Sequence, residues 1–335
     1  MSHFQPWQSW SPAKRNIFGL PTWDYCPLPL ANKKTNFLKQ KSTKEPISYW
    51  CSWYAFGEKI SEKIILEQAS LLNKSKLKID YILIDDGWTK WGDWHKVDEE
   101  KFPSGIGALS KKLAQKNFKT GLWLAPFLAD KKSRLFKEHP EYFLRSKSGK
   151  LVNGFKSFPF FDSLLHPRFL LDFNKKEVKQ FVFESLDQMM RKWNISLLKL
   201  DFLYAPYFNP HLKNADEATK QVQELLIYLK TQHPQVFTIA CGCSFSDAAN
   251  LADAIRISKD ISAPPPMPKI FRKIFYEHRA QVLFAKLKHK SMWKGCLADP
   301  DVRIFDLENK KSEAIFEKLS ESKDFLQGFG DQLKK

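Results

Sequence analysis

Several short apolar runs of this sequence end in carboxylates. Tyr81-Ile-Leu-Ile84 runs into Asp85-Asp86-Gly87-Trp88, Lys199-Leu200 into Asp201-Phe202, Arg256-Ile-Ser-Lys259 into Asp260, and Leu297-Ala298 into Asp299-Pro300-Asp301. Aromatic residues accompany them: Trp50, Trp53 and Tyr54 on one run, Trp88 after the next, then Trp123 and Trp293. This is the chemistry of a carbohydrate site. Carboxylates accept hydrogen bonds from neighbouring hydroxyls, flat rings cover the C–H faces of a sugar, and two carboxyls together can cleave a glycosidic bond. Plainer readings stand beside it. Asp85-Asp86 could ligate a metal or cap a helix. Asp201 could simply pair with Lys199, Asp260 could be a loop or cap acid, and Arg256 could make a structural ion pair. Trp53 and Trp123 could be core, Cys241 and Cys243 small buried residues, and Asp299-Pro-Asp301 a turn.

The elements that must hold these residues alternate. Strands are expected over 47–53, 81–84, 120–125, 197–203, 236–241, 254–257 and 292–298. Helices are expected near 61–76, 106–117, 175–193, 215–232, 246–252, 268–288 and 311–324, with a long loop before 174. Alternating strands and helices at this spacing predict a parallel sheet, and the count favours a TIM (β/α)8 barrel over an open doubly wound sheet. In a barrel, chemistry sits at the C-terminal strand ends, where these acids fall. No GxGxxG follows the first strand and no GxxxxGK[ST] occurs, which removes the dinucleotide and phosphate-loop readings. Only Asp324–Lys335 remains for an eighth strand, near 325–329, so the last strand and helix are abbreviated.

The composition agrees with a folded chain. Its 335 residues are 43% hydrophobic and 27% charged, which excludes a disordered or collagen-like protein. No apolar run reaches the 18 residues of a membrane span, and the start lacks the pattern of a signal peptide. Five cysteines without CxxC spacing point to a reduced, cytoplasmic chain without a metal site. The net charge of +17 raises nucleic-acid binding as an alternative class. But the cations are mostly Lys, and no nucleic-acid module is present. The densest basic stretch, 269–294, reads as the wet face of an amphipathic helix, with Ile270, Ile274, Phe275, Val282, Leu283 and Leu287 facing inward.

Seven words of the sequence then carry a resemblance: Trp50-Cys-Ser-Trp53-Tyr54, Ile84-Asp-Asp-Gly-Trp88, Gly121-Leu-Trp-Leu-Ala-Pro126, Lys199-Leu-Asp-Phe202, Cys241-Gly242, Arg256-Ile-Ser-Lys-Asp260 and Asp299-Pro-Asp301. In this order, over roughly 46–303, they resemble the catalytic barrel of glycoside hydrolase family 36 α-galactosidases. The resemblance implies a retaining exo-α-galactosidase with Asp201 as nucleophile and Asp260 as general acid/base. It implies Asp85 and Asp86 as ligands of the galactose 4- and 6-hydroxyls, and Cys241-Gly242 near the 2-hydroxyl. Lys199 and Arg256 would contact the sugar or orient carboxylates, keeping Asp201 ionised. Trp88, Trp123 and Trp53 would be sugar-facing aromatics. The partner it implies is an oligosaccharide with a terminal α-galactose, and no cofactor or metal is implied.

The sequence also departs from that family. Residues 1–45 read as an N-terminal extension or linker remnant and 46–335 as the barrel, without the family's usual flanking β-domains. An open barrel edge would need cover, from a homo-oligomer partner or from the Trp-rich N-terminal segment, and a fragment of a longer chain is equally open. Cys241-Gly-Cys-Ser-Phe245 departs from the family's word after strand five, which leaves the 2-substituent open. A raffinose- or stachyose-synthase-like galactosyl transferase, an α-N-acetylgalactosaminidase and an inactive sugar-binding barrel therefore stand as alternatives.

Overall fold

The computed structural model describes residues 44–155, 166–287 and 296–334. The expected extension over 1–45 lies almost wholly outside them, as does Trp293. The chain begins with β1 (Ser48–Cys51), the short helix α1 (Trp53–Phe56), α2 (Glu62–Leu72), β2 (Tyr81–Ile84), α3 (Gly105–Ala114) and β3 (Lys119–Leu124). An excursion follows, made of β4 (Leu128–Ala129), α4 (Arg134–Glu138) and β5 (Phe169–Leu170). Then come α5 (Lys176–Arg191), β6 (Leu197–Leu200), α6 (Ala215–Gln232), β7 (Phe237–Ala240), α7 (Phe245–Ala248), β8 (Ala254–Arg256) and α8 (Lys269–Leu287). The chain ends with β9 (Leu297–Asp299), β10 (Val302–Arg303), α9 (Lys310–Ser320) and β11 (Gln327–Phe329).

Nine strands form one curled sheet in the order β10-β11-β1-β2-β3-β6-β7-β8-β9, and every pairing in it is parallel. Strands such as Tyr81-Ile-Leu-Ile84 are buried at every position. That is what a parallel sheet covered on both faces demands, and why these runs read as continuously apolar. The helices start where the local chemistry places them. Ser61 accepts from the Ile64 N–H, Asn214 from the Glu217 N–H, and Asn309 forms a reciprocal capping box with Ser312. The edge strand β9 approaches the segment that leads into β11 through one parallel bridge, Ala298 with Phe325. Ala298 N–H donates to Asp324 O at 2.8 Å and Leu326 N–H to Ala298 O at 2.9 Å. The weak eighth strand of the sequence is thus a real element, β11, paired with β1 on its other side.

Two expectations are corrected. The run 197–203 stops being strand at Leu200, because Phe202 turns into the left-handed region at φ 53°. The inward face assigned to the basic helix is corrected at four positions, holds at Leu283, and at Leu287 lies outside the described side chains. In α8, Ile270 is 67% and Ile274 58% exposed, and Phe275 and Val282 are also exposed. Tyr276 and Ala280 are buried with Leu283 instead of those four. The cause is anchoring by polar groups: Arg272 donates to Ala263 O and Tyr54 O, and Tyr276 donates to Glu308 while stacking on Phe316. The line 272–276–280–283 keeps helical spacing and faces inward.

Phe325, 1% exposed, is the bridge partner of Ala298 at the edge strand β9. Phe325→Ala is expected to cost about 3–5 kcal/mol, read from urea unfolding at constant slope. A loss below about 1 kcal/mol would mean that the bridge adds little to the fold.

Candidate active site

Every acid singled out from the sequence lies at or just beyond the C-terminal end of a sheet strand. β2 delivers Asp85 and Asp86, both buried. Lys199 of β6 reaches across to Asp85, with Nζ 2.8 Å from Oδ2, and the Cys51 thiol donates to the same oxygen. Burial is the largest single influence on Lys199 and would lower its proton affinity, but Asp85 and its other acidic neighbours together raise it well above the ordinary value. Lys199 is therefore a buried ammonium committed to Asp85.

Asp86 is held differently. Both its oxygens accept from the Trp91 indole N–H at 2.9 Å, and Oδ1 also accepts from the Gly87 N–H at 2.7 Å. No cation bonds it directly among the described residues. Burial pushes its carboxyl up to about 7, helped by the charges of Glu58 and Asp85, against the pull of the Trp91 N–H and Arg168. Gly87 sits at φ 108°, and a Cβ there would lie 2.7 Å from Glu58 Cα and O. The turn that aims Asp86 therefore needs glycine.

Asp201 follows β6. Its Oδ2 accepts from the Trp123 indole N–H at 3.0 Å, and its Oδ1 from the Phe202 N–H at 2.7 Å. Burial is the largest influence on it and raises its proton affinity. Lys199 opposes the rise and the Asp260 charge adds to it. Of the two cations expected to keep Asp201 ionised, Lys199 does favour the anion, whereas Arg256 is engaged elsewhere. Its Nε lies 2.7 Å from Asp299 Oδ2, and its Nη1 lies 3.1 Å from Asp301 Oδ2 and 3.7 Å from Asp260 Oδ1. The Asp260 side chain is 59% exposed. Cys241 is buried beside Gly242, whose φ of 68° and tight contact with Tyr204 and Phe202 let β7 end without a side chain in the site.

The tryptophans divide. Trp123 lies against Trp91 at 5.0 Å between ring centroids and against Phe202 at 6.3 Å, and serves Asp201 through its N–H. Trp88 is only 1% exposed, donates to Trp123 O and packs on Trp94 and Trp193. It supports the floor and has no free face for a sugar, contrary to the expectation. Trp53 opens α1, half-buried against the core. Sequence reasoning missed two residues. Trp91 is the donor to Asp86, and the density of tryptophans over 88–94 was its signal. Arg168 lies 4.8 Å over the Trp91 ring and 3.3 Å from Asp130, with its buried Nε unpartnered among the described residues. It arrives from the loop before β5, and no local pattern marked it. Among the described residues no three His, Cys, Asp or Glu side chains form a metal-binding group.

Known proteins share this arrangement of chain. The family model described as melibiase matches residues 33–251. The chain belongs to the melibiase family. The match includes Asp85, Asp86, Lys199 and Asp201 and stops short of Arg256 and Asp260. Among curated relatives, Alpha-galactosidase 1 of Pediococcus pentosaceus is 25% identical over 60% of this chain and 28% of its own length. Alpha-galactosidase Mel36A of Lactobacillus acidophilus is 28% identical over 46% of this chain and 20% of its own. The chain thus spans about a quarter of the length of these relatives. Among solved structures, TtGalA, the α-galactosidase of Thermus thermophilus, superposes with a TM-score of 0.69 over 88% of this chain and 59% of that one, at 24% identity. AgaA of Geobacillus stearothermophilus superposes at 0.56 over 87% and 39%, at 14% identity. Both share the fold.

Asp86 gives this family member a pH-dependent stability. The folded protein holds the proton of Asp86 up to about pH 7, while the unfolded chain releases it near 3.8. Its contribution to stability therefore declines as pH rises across that window. Asp86→Asn is expected to gain a few kcal/mol relative to wild type at pH 8 over its standing at pH 4. Urea midpoints at the two pH values check this. Parallel curves for the two proteins would refute it.

Proposed function

We propose that the chain carries the catalytic unit of a retaining exo-α-galactosidase, cleaving terminal α-galactosyl residues from oligosaccharides. The observation that carries this reading is the fixed carboxylate of Asp201, held by one donor on each oxygen amid the other strand-end acids. A nucleophile must be aimed before it reacts, and these two N–H groups aim it without a cation that would blunt it. In the first step an Asp201 oxygen attacks C1, the glycosidic C–O bond breaks, and Asp260 gives its proton to the leaving oxygen. In the second, water gives a proton to Asp260 and its oxygen to C1, and Asp201 departs. Asp85 and Asp86 accept from galactose hydroxyls, with Lys199 locking Asp85 and Trp91 locking Asp86. Relatives support the substrate class: TtGalA is described in complex with p-nitrophenyl α-D-galactopyranoside and with stachyose.

The fold reading goes with the activity. In it, β1, β2, β3, β6, β7, β8, β9 and β11 are the eight strands of a closed (β/α)8 barrel within one catalytic unit, 46–335. The Ala298–Phe325 bridge is its seam, and the acids line its mouth.

Two sets of variants test the chemistry. Asp201→Ala is expected to lose roughly 10³-fold or more in kcat on both nitrophenyl α-galactoside and raffinose. Asp260→Ala is expected to lose about 10²–10⁴-fold in kcat/KM on raffinose but far less on the nitrophenyl substrate, whose leaving group needs no proton. Wild-type turnover matched by Asp201→Ala would sink the proposal. Separately, Trp123→Phe removes a hydrogen bond that favours the Asp201 anion. The acid limb of kcat/KM should then move to higher pH. An unmoved limb would take Asp201 out of the titration.

A further inference from the structure

The proposed mechanism leaves Asp301 without a task, yet Asp301 is among the most constrained residues of the site. It is 1% exposed and stands at φ 80°, a conformation that costs a non-glycine residue about 1–3 kcal/mol and persists only where its surroundings impose it. Those surroundings are visible. The Asp301 N–H is bound by Asp299 Oδ1 at 3.1 Å, and its carbonyl presses on Gly328 of β11, where a Cβ would come within 2.6 Å. Its carboxyl is used unevenly. Oδ2 takes the Tyr54 hydroxyl, the Arg256 Nη1 at 3.1 Å and the Ile261 N–H at 2.8 Å. Oδ1 is buried with no partner among the described residues.

Two of the three donors lead to Asp260. Ile261 is the next residue along the chain, so this hydrogen bond fixes the segment from which the Asp260 side chain projects. Arg256 Nη1 is the group that also faces Asp260 Oδ1, at 3.7 Å. One guanidinium N–H group therefore stands between the two carboxyls and lies closer to Asp301.

Building on the galactosidase reading above, we propose that Asp301 is a positioning residue for the acid/base: it anchors the Asp260 segment through Ile261 and keeps the Arg256 charge from settling on Asp260. A general acid needs this arrangement. A guanidinium fully committed to Asp260 would hold it as an anion and leave no proton for the departing oxygen. Asp299 secures the Nε side of Arg256, so the Nη1 side is the one contested. The charged and titratable groups facing Asp301 fit this competition. Arg256, from β8, and Lys199, from β6, favour its anion. Asp260 and Asp299 oppose it. Tyr54 from α1 and Tyr49 and Cys51 from β1 close the remaining side, each pushed up in part by the Asp301 charge. Burial is the largest influence on the Asp301 carboxyl and carries it to about 7.

Asp301→Asn keeps the shape and an acceptor for Ile261 but deletes the charge. It should move the alkaline limb of kcat/KM to lower pH by about one unit. Turnover of raffinose should fall at least tenfold, with a much smaller fall on nitrophenyl α-galactoside, which needs no protonated leaving oxygen. Tyr54→Phe, which removes one donor from Oδ2, should shift the limb in the same direction by less, and guards against an Asn variant that fails to fold. An unshifted limb with equal loss on both substrates, in an active enzyme, means that Asp301 only supports the fold and overturns the inference. Wild type inert toward both substrates overturns the galactosidase reading itself, and the two failures are thus distinguishable.

Discussion

Charge is short inside this site. Among the described residues, the buried strand-end carboxyls are Asp85, Asp86, Asp299 and Asp301, and the buried cations facing them are Lys199 and Arg256. Each cation bonds one acid at short range, Lys199 with Asp85 and Arg256 with Asp299. Asp86, which no cation bonds among the described residues, and Asp301, which must share Arg256 with Asp299, are the ones that burial drives to about 7. A buried anion with too little opposite charge beside it costs more than neutralising it, so the surplus is absorbed by protons and by neutral donors such as Trp91 and Tyr54. Replacing a proton on Asp86 by a hydrogen bond from a sugar hydroxyl would relieve the same cost. The shortage of cations therefore suits a neutral, hydroxyl-rich ligand and disfavours an anionic one.

The net charge of the chain tells a different story from its site. Among the described residues, lysines such as Lys269 and Lys273 lie on exposed helix faces like that of α8, while the strand ends are rich in carboxyls. A net charge of +17 sums over the whole chain and by itself says nothing about the charge at the strand ends. α8 adds a caution about patterns. Its apolar residues occur at helical spacing, yet the face that packs is chosen by Arg272 and Tyr276, which find carbonyl and carboxylate partners under the helix. Satisfying buried polar groups outranked burying Ile270 and Ile274.

Most of the sheet was legible in the sequence, because parallel strands buried on both faces are short apolar runs closed by polar residues. The strand 81–84 is the same in sequence and structure, and β11 falls within its expected span. Two kinds of feature were not legible. The excursion from β4 to β5 consists of two-residue strands, too short for any period to show, and it delivers Arg168 to Trp91 across a long loop. The division of labour among acids was also hidden. The words containing Asp85, Asp201 and Asp260 could be read, but which cation serves which acid depends on the registers of β2, β6, β8 and β9. Lys199 sits two residues from Asp201 and yet serves Asp85, because alternate residues of a strand share a face while the strand ends before Asp201.

One local device recurs at these strand ends and explains how the acids come to be aimed. Asp86 Oδ1 accepts the N–H of Gly87, Asp201 Oδ1 that of Phe202, and Asp299 Oδ1 that of Asp301. In each case the donor residue has a positive φ: 108° at Gly87, 53° at Phe202 and 80° at Asp301. The carboxylate thus takes up an N–H that the ending ladder would leave unpaired, and the left-handed step turns the chain away from the mouth. Glycine does this without strain. At Phe202 and Asp301 a side chain is kept despite the cost, and in both cases that side chain belongs to the site: Phe202 packs on Trp91 and Trp123, and Asp301 binds Arg256. Strain is retained where a glycine would have removed a contact the site uses, and it is absent where, as at Gly87, a side chain would collide with Glu58.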